Sequence, residues 1–353
     1  MKAPRYLSRG FFIILKMKKN IILLFVFASR MLAAQDLEIT NWLDNKQCAV
    51  VMTFDDWLEG HEKIVVSALI EKKLSATFFV TLQGAQWKRN FFDQMRLAQE
   101  NGSEIANHTI THPSLTAVSL EKAKVEIDSA RKIIMDSVPG AECLTFAYPM
   151  GTWNPDIIDL LKREHIGARG VNQFNENGIH YDFASDSVDY FRISTVRVWH
   201  IVTLDKIAQW VDYAAKGGGM LTFMMHSVYN DNIAKGWDAM PEEFLTGMLD
   251  TLKSRQNKAW VTTFANAIKY HREKKASEIE FLGEKKGVKS YRLISTLNSE
   301  IYNQPLTLKM QKPTGAFVIH QGKKKMDYTI SEDGLWIFFN VVPGNKEIKI
   351  TLN

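Results

Sequence analysis

Asp55 and Asp56 stand side by side at the end of the apolar, β-branched run Val50–Phe54. Successive strand residues point to opposite faces, so both carboxylates reach one cleft only where the strand ends and the chain turns. A second pair of chemical groups, His108 and His112, lies four residues apart in Asn107-His-Thr-Ile-Thr-His-Pro113. The β-branched residues between them and the proline after them indicate a strand end running into a loop, not a helix face. Two imidazoles with a carboxylate from Asp56 or Asp55 give three protein ligands and open coordination positions. That is the arrangement of catalytic zinc; a non-haem iron centre fits the same ligand count. His226 closes the apolar run Met220–Met225, where it could serve as a general acid near neutral pH. Phe146-Ala-Tyr-Pro-Met-Gly151 ends another strand-like run, and its proline and glycine fix a sharp turn able to line a cleft.

These groups need a scaffold that gathers strand ends. Strand-like runs cover Ala49–Phe54, Ala76–Val80, Glu104–Ala106, Leu144–Tyr148, Ile193–Val198, Met220–Met225 and Ala259–Thr263. Helical patterns fall between or after them, over His61–Lys73, Phe91–Gln99, Ser119–Val138, from Asn154-Pro155 onward, Leu204–Ala215, Glu242–Arg255 and Phe264–His271. This alternation predicts a parallel sheet. Seven or eight strands over roughly 225 residues favour a barrel, with its site at the carboxyl ends of the strands. Composition changes after Lys275. Glu278–Gly287 is charged and reads as a linker. Ala316–His320, Tyr328–Ile330, Leu335–Val341 and Glu347–Leu352, separated by glycine and proline turns, then predict a small antiparallel β domain. The expected division is a leader over 1–34, a barrel over 35–275, and a linker with β domain over 276–353.

The leader carries Lys18-Lys19 before the short apolar run Ile21–Ala28, with small Ala33-Ala34 after it. This is the pattern of a bacterial export signal, so a periplasmic or extracellular protein is expected; an uncleaved anchor is the alternative. Lysines split the apolar residues, so no stable membrane span is expected after processing. Residues 1–34 hold seven basic and no acidic residues, which leaves 37 Lys and Arg against 39 Asp and Glu, a net of −2. A nucleic-acid partner is therefore not expected. Cys48 and Cys143, the only cysteines, either pair in the export compartment or sit as buried thiols.

Taken together, Thr53-Phe-Asp-Asp56, His108–Pro113, Phe146–Gly151 and Leu221–His226 resemble, in content and order, the motifs of the polysaccharide deacetylases. These are the metal-dependent deacetylases of the fourth carbohydrate esterase family, and the resemblance spans roughly residues 48–270. It implies a distorted (β/α) barrel, Asp55 as catalytic base and His226 as general acid. It also implies a metal triad of Asp56, His108 and His112, and a groove lined by Tyr148, Pro149 and Met150, with the Met150 N–H near the oxyanion. The implied cofactor is a divalent metal, zinc first, cobalt or nickel as alternatives. The implied partner is an acetylated polysaccharide or oligosaccharide that loses N-acetyl or O-acetyl groups. A retired barrel that only binds carbohydrate is the alternative; an iron oxygenase would leave Asp55 and His226 without a role.

Two positions depart from the family pattern. Ala147 stands where many members carry arginine; Arg192 or Arg197 is a candidate for the missing cation, Arg192 also as a substrate contact, with a structural surface pair as the alternative for each. Trp57 replaces the usual glycine after the Asp pair and is expected either to stack on a sugar or to fill the barrel mouth. Asp189, Asp186 or Asp205 is expected beside His226.

Overall fold

The computed structural model describes residues 37–83, 90–171 and 188–352; the leader and Asp186 lie outside them. The described chain falls into two compact units, residues 40–276 with 297–307, and residues 37–39 with 277–296 and 308–352.

The larger unit is built on parallel strands β1 (Cys48–Asp55), β2 (Thr77–Val80), β3 (Glu104–Asn107), β4 (Thr145–Ala147), β5 (Gly167–Arg169), β6 (Val196–Arg197), β7 (Met220–Met225) and β8 (Ala259–Thr262). Seven of them run in the order β5-β4-β3-β2-β1-β7-β6. On one edge of β1, β8 pairs with Cys48–Val51 and β2 with Thr53–Asp55. The opposite edge pairs Ala49–Phe54 with β7. A bridge between Arg169 and Ile193 joins the two ends of the curled sheet, which makes it a distorted (β/α) barrel.

β1 is the axis of the unit because it is apolar on both faces, as a strand covered on both sides must be. Cys48, Val50, Met52 and Phe54 share one cluster with helices α1 (Val66–Lys72), α5 (Leu204–Gly217) and α6 (Glu242–Lys253), through Leu69, Ile207, Val211, Leu245 and Leu249. Pleating turns Thr53 and Asp55 to the other face. Local chemistry sets the helix ends. Asn154 caps α4 (Pro155–Leu161) by accepting the Ile157 N–H, with proline at the first helical position. Gly218, at φ 71°, ends α5 in the left-handed region. Helices α2 (Asp93–Glu100), α3 (Leu120–Ser137) and α7 (Phe264–Ala276) complete the cover.

The smaller unit holds antiparallel sheets. One pairs β9 (Ser277–Lys285), β10 (Val288–Ser295), β14 (Glu347–Leu352) and β12 (Phe317–Gln321) in that order. The other contains β11 (Leu306–Gln311) and β13 (Trp336–Val341). β9 corrects the expected linker at Glu278–Gly287. Its charges alternate with Ile279 and Phe281, and antiparallel pairing with β10 leaves the glutamates toward solvent. Cys48 and Cys143 are free and buried, and burial pushes the Cys48 thiol up to about 12. Among the described residues, no helix is long and apolar enough to cross a membrane.

Candidate metal centre and active site

All five chemical groups singled out above leave the carboxyl ends of barrel strands. Asp55 ends β1; Asp56 and Trp57 follow at φ 75° and 55°. This left-handed pair turns the chain sharply while Asp56 N–H stays bonded to Phe79 O at 3.0 Å. Thr109, His112, Met150 and Asp238 are also non-glycine residues with positive φ. Such strain persists only where surrounding contacts fix it, and it gathers at functional sites.

Those contacts are explicit in the loop after β3. Asn107 Oδ1 accepts the Thr109 N–H at 2.9 Å, and Thr109 Oγ1 accepts the His112 N–H at 3.1 Å. The buried Glu126 carboxylate, on α3, accepts from the Ile110 and Thr111 amides at 3.0 and 2.9 Å and from the Thr111 hydroxyl at 2.7 Å. Burial raises the Glu126 pKa, but bonds from Lys122 and the loop overcome it and hold the group below its ordinary range. Glu126 escapes a reading of the sequence because it sits on a helix rich in charge.

The loop brings His108 Nε2 and His112 Nε2 to 3.2 Å, with Asp56 Oδ1 3.7 and 3.6 Å from them. Ligands about 2.1 Å from a tetrahedral ion stand about 3.4 Å apart, so the three atoms can hold a metal ion. The donor chemistry fits as well. His108 Nδ1 lies 2.7 Å from Ala147 O, which can only accept; the proton is therefore on Nδ1 and the Nε2 lone pair faces His112 and Asp56. Burial lowers the His108 pKa further than the nearby carboxylates raise it, which keeps the ring neutral. Replacing His108 with Ala is expected to remove most bound metal, since two ligands cannot close the site. Metal content by elemental analysis checks this; equal stoichiometry in variant and wild type refutes it.

Asp55 is 3% exposed and points into the barrel. Arg169, wholly buried at the end of β5, bonds its Oδ1. Burial alone would raise the Asp55 pKa; Arg169, His108 and His226 together reverse this and hold the carboxyl below its ordinary range. The cation opposite Ala147 is thus neither Arg192 nor Arg197. Arg192 is exposed, pairs with Asp189 and lies over Trp153; Arg197 forks onto Asp238. β5 carries no β-branched run, which hid both the strand and its arginine.

His226 Nε2 lies 3.7 Å from Asp55 Oδ2, and its Nδ1 3.4 Å from Asp238 Oδ2. Asp238, not Asp189 or Asp205, is therefore its acidic neighbour. Burial opposes ionisation of Asp238, but His226 and Arg197 outweigh it and keep that carboxyl below its ordinary range. Arg197 in turn lies over Trp199 and Trp237, and Trp237 packs edge-on against His226 at 4.2 Å. Beneath, His61 takes the Leu58 N–H on Nδ1, so its Nε2–H donates to His226 O at 2.6 Å. Burial pushes His61 down to about 4, which keeps this strut neutral.

The expected groove residues divide. Tyr148 is buried and donates its hydroxyl to Phe191 O at 2.9 Å; Pro149 is also buried. Met150 is 65% exposed. Trp57, 3% exposed, packs edge-on against Phe78 at 5.1 Å and His61 at 6.3 Å within the cluster between the strands and the helices, so it offers no open face to a sugar and does not fill the barrel mouth.

A parallel barrel thus carries a carboxylate–imidazole pair next to an Asp-His-His cluster, a candidate metal site with three protein ligands. Residues 43–167 match the polysaccharide deacetylase family. It is 33% identical over 124 residues to a chitooligosaccharide deacetylase of Rhizobium leguminosarum bv. trifolii, covering 35% of this chain and 55% of that protein. It is 20% identical over 302 residues to a gellan lyase of a Bacillus species, covering 78% of this chain and 11% of that protein. The chain thus spans about half the length of the deacetylase and a small part of the lyase. Among solved structures it is similar to a family 4 carbohydrate esterase from Streptomyces lividans in complex with acetate. There the TM-score is 0.41 at 20% identity, over 60% of this chain and 90% of that one.

Proposed function

We propose that this chain is an exported, metal-dependent deacetylase that hydrolyses acetyl groups on a polysaccharide or oligosaccharide. The observation that carries the reading is the buried Asp55–His226 pair, 3.7 Å apart and beside the cluster of Asp56, His108 and His112. Those three residues would hold the ion, which supplies Lewis-acid polarisation of the acetyl carbonyl and favours deprotonation of water. Asp55, kept ionised by Arg169, accepts the proton of the attacking water. His226, oriented by Asp238 and His61, delivers a proton to the leaving amine or alcohol as the acyl bond breaks, releasing acetate. The Met150 N–H is the candidate donor to the oxyanion. The names of the matched rhizobial deacetylases make N-acetylated amino-sugar oligomers the first substrates to try. Against a retired, carbohydrate-binding barrel stands Arg169, a cation bonded to Asp55 although the third motif lacks its arginine.

The test is acetate release from chitin oligomers, acetylated xylan, peptidoglycan and an acetylated exopolysaccharide, with zinc, cobalt or nickel supplied. Release that stops on chelation and returns with metal is expected. A folded, metal-loaded chain that releases acetate from none of them would overturn the reading.

A further inference from the structure

We propose that the larger unit carries a second ligand site that binds a small organic oxyanion, a carboxylate or phosphate on a ring-sized body. The site is a cavity of about 780 Å³, within the ~300–1,000 Å³ usual for small-molecule sites. It opens at the opposite end of the strands from the metal cluster. Leu144, in its wall, directly precedes β4, and Ile166 directly precedes β5.

Two guanidinium groups in its wall, those of Arg131 and Arg272, each keep a buried Nε–H without a hydrogen-bond partner. Buried polar groups in folded proteins are overwhelmingly paired, and incompletely met guanidinium donors suit an acceptor-only group.

The charges agree. Lys162 pairs with Asp159 at 2.9 Å, Arg131 approaches Glu164 at 3.5 Å, and Asp189 is taken by Arg192. Arg163 and Arg272 are left with no carboxylate at ion-pair distance among the described residues. Arg272 is also held in place. Its guanidinium lies 4.0 Å from the Tyr190 ring centroid, and Nη1 donates to the Tyr302 hydroxyl at 3.2 Å. A cation fixed before the ligand arrives loses little freedom on binding. Leu144, Ile166 and Phe191 give the body of the ligand an apolar wall.

Calorimetric titration of the full chain with glucuronate, glucose 6-phosphate, inorganic phosphate and neutral glucose tests this. One or more of the charged probes binds, more weakly as salt is raised, and glucose does not. The preference among the three assigns carboxylate, sugar phosphate or free phosphate as the source. Arg272→Gln weakens binding roughly tenfold or more, as expected for loss of a charged hydrogen bond. The exposed Arg163→Gln weakens it less, and acetate release is unchanged in both variants. No binding of any anion, or unchanged affinity in both variants, overturns the proposal. Should Arg272→Gln fail to fold, Arg163→Gln and the salt dependence decide. The titration needs no turnover, so failure of the deacetylase reading leaves its outcome readable.

Discussion

Arg169→Met is expected to lower kcat/KM on the order of 10²-fold and to destabilise the fold by about 3–5 kcal/mol, the usual cost of leaving one partner of a buried ion pair alone. Arg169 and Asp55 are both buried at facing strand ends. With the cation present, the folded-state pKa of Asp55 is depressed. The pair therefore contributes its stability above the unfolded carboxylate value of ~3.9, and that contribution is lost as pH falls through the lower folded value. Without the cation, burial dominates and the direction reverses: Asp55 holds its proton to higher pH, and the variant loses stability as pH rises through the ordinary carboxylate range. The kinetic signature has the same sign. The acid limb of the pH–rate profile, below the ordinary carboxylate range in wild type, moves upward in Arg169→Met. Arg169→Lys restores part of the shift, because it returns a charge without the planar fork. Denaturant melts across pH and pH–rate profiles of the three proteins measure this. An unmoved acid limb with unchanged stability would show that Arg169 does not hold Asp55 ionised.

The same residue marks where the sequence stops being legible. Long apolar strands announce themselves: β7 spans the expected Met220–Met225, and β1 extends the expected Ala49–Phe54 by one residue at each end. The His108–His112 spacing and the Asp pair are local, so their chemistry reads directly. β5 is three residues of glycine, alanine and arginine, paired through backbone bonds to β4, and has no side-chain pattern to read. Its one signal is a gap: helix α4 and the expected strand at Ile193 enclose some thirty residues with no strand, too many for a βα repeat. Asp238 and Glu126 are hidden for another reason. Glu126 reaches the amides of Ile110 and Thr111 and Asp238 reaches His226 and Arg197, spacings that belong to no local motif, so only tertiary contact distinguishes either from an ordinary surface carboxylate. At Glu278–Gly287, where a linker is expected, dense charge masks the alternation of Ile279 and Phe281 that makes the segment β9.

His226→Ala is expected to have the larger kinetic effect, about 10²–10⁴-fold in kcat, with metal content unchanged. The ring is not among the three candidate metal donors; it sits between Asp55 on one side and Asp238 on the other. Removing it deletes the donor to the leaving group but leaves the cluster of Asp56, His108 and His112 intact. Asp55→Asn should cost a similar factor for the opposite reason, loss of the acceptor. The double variant should then be little worse than either single one, because two groups that move protons within one step fail together. Asp238→Asn tests how His226 is held. It keeps the shape and removes the charge facing Nδ1, so it should reduce kcat less than His226→Ala and leave KM near wild type. A leaving group that is already a good one, such as a nitrophenolate in an aryl acetate, needs no proton to depart. On that substrate the His226→Ala defect should shrink, whereas the Asp55→Asn defect should persist. Equal defects of His226→Ala on aryl acetate and amide substrates would mean that His226 does something other than protonate the leaving group.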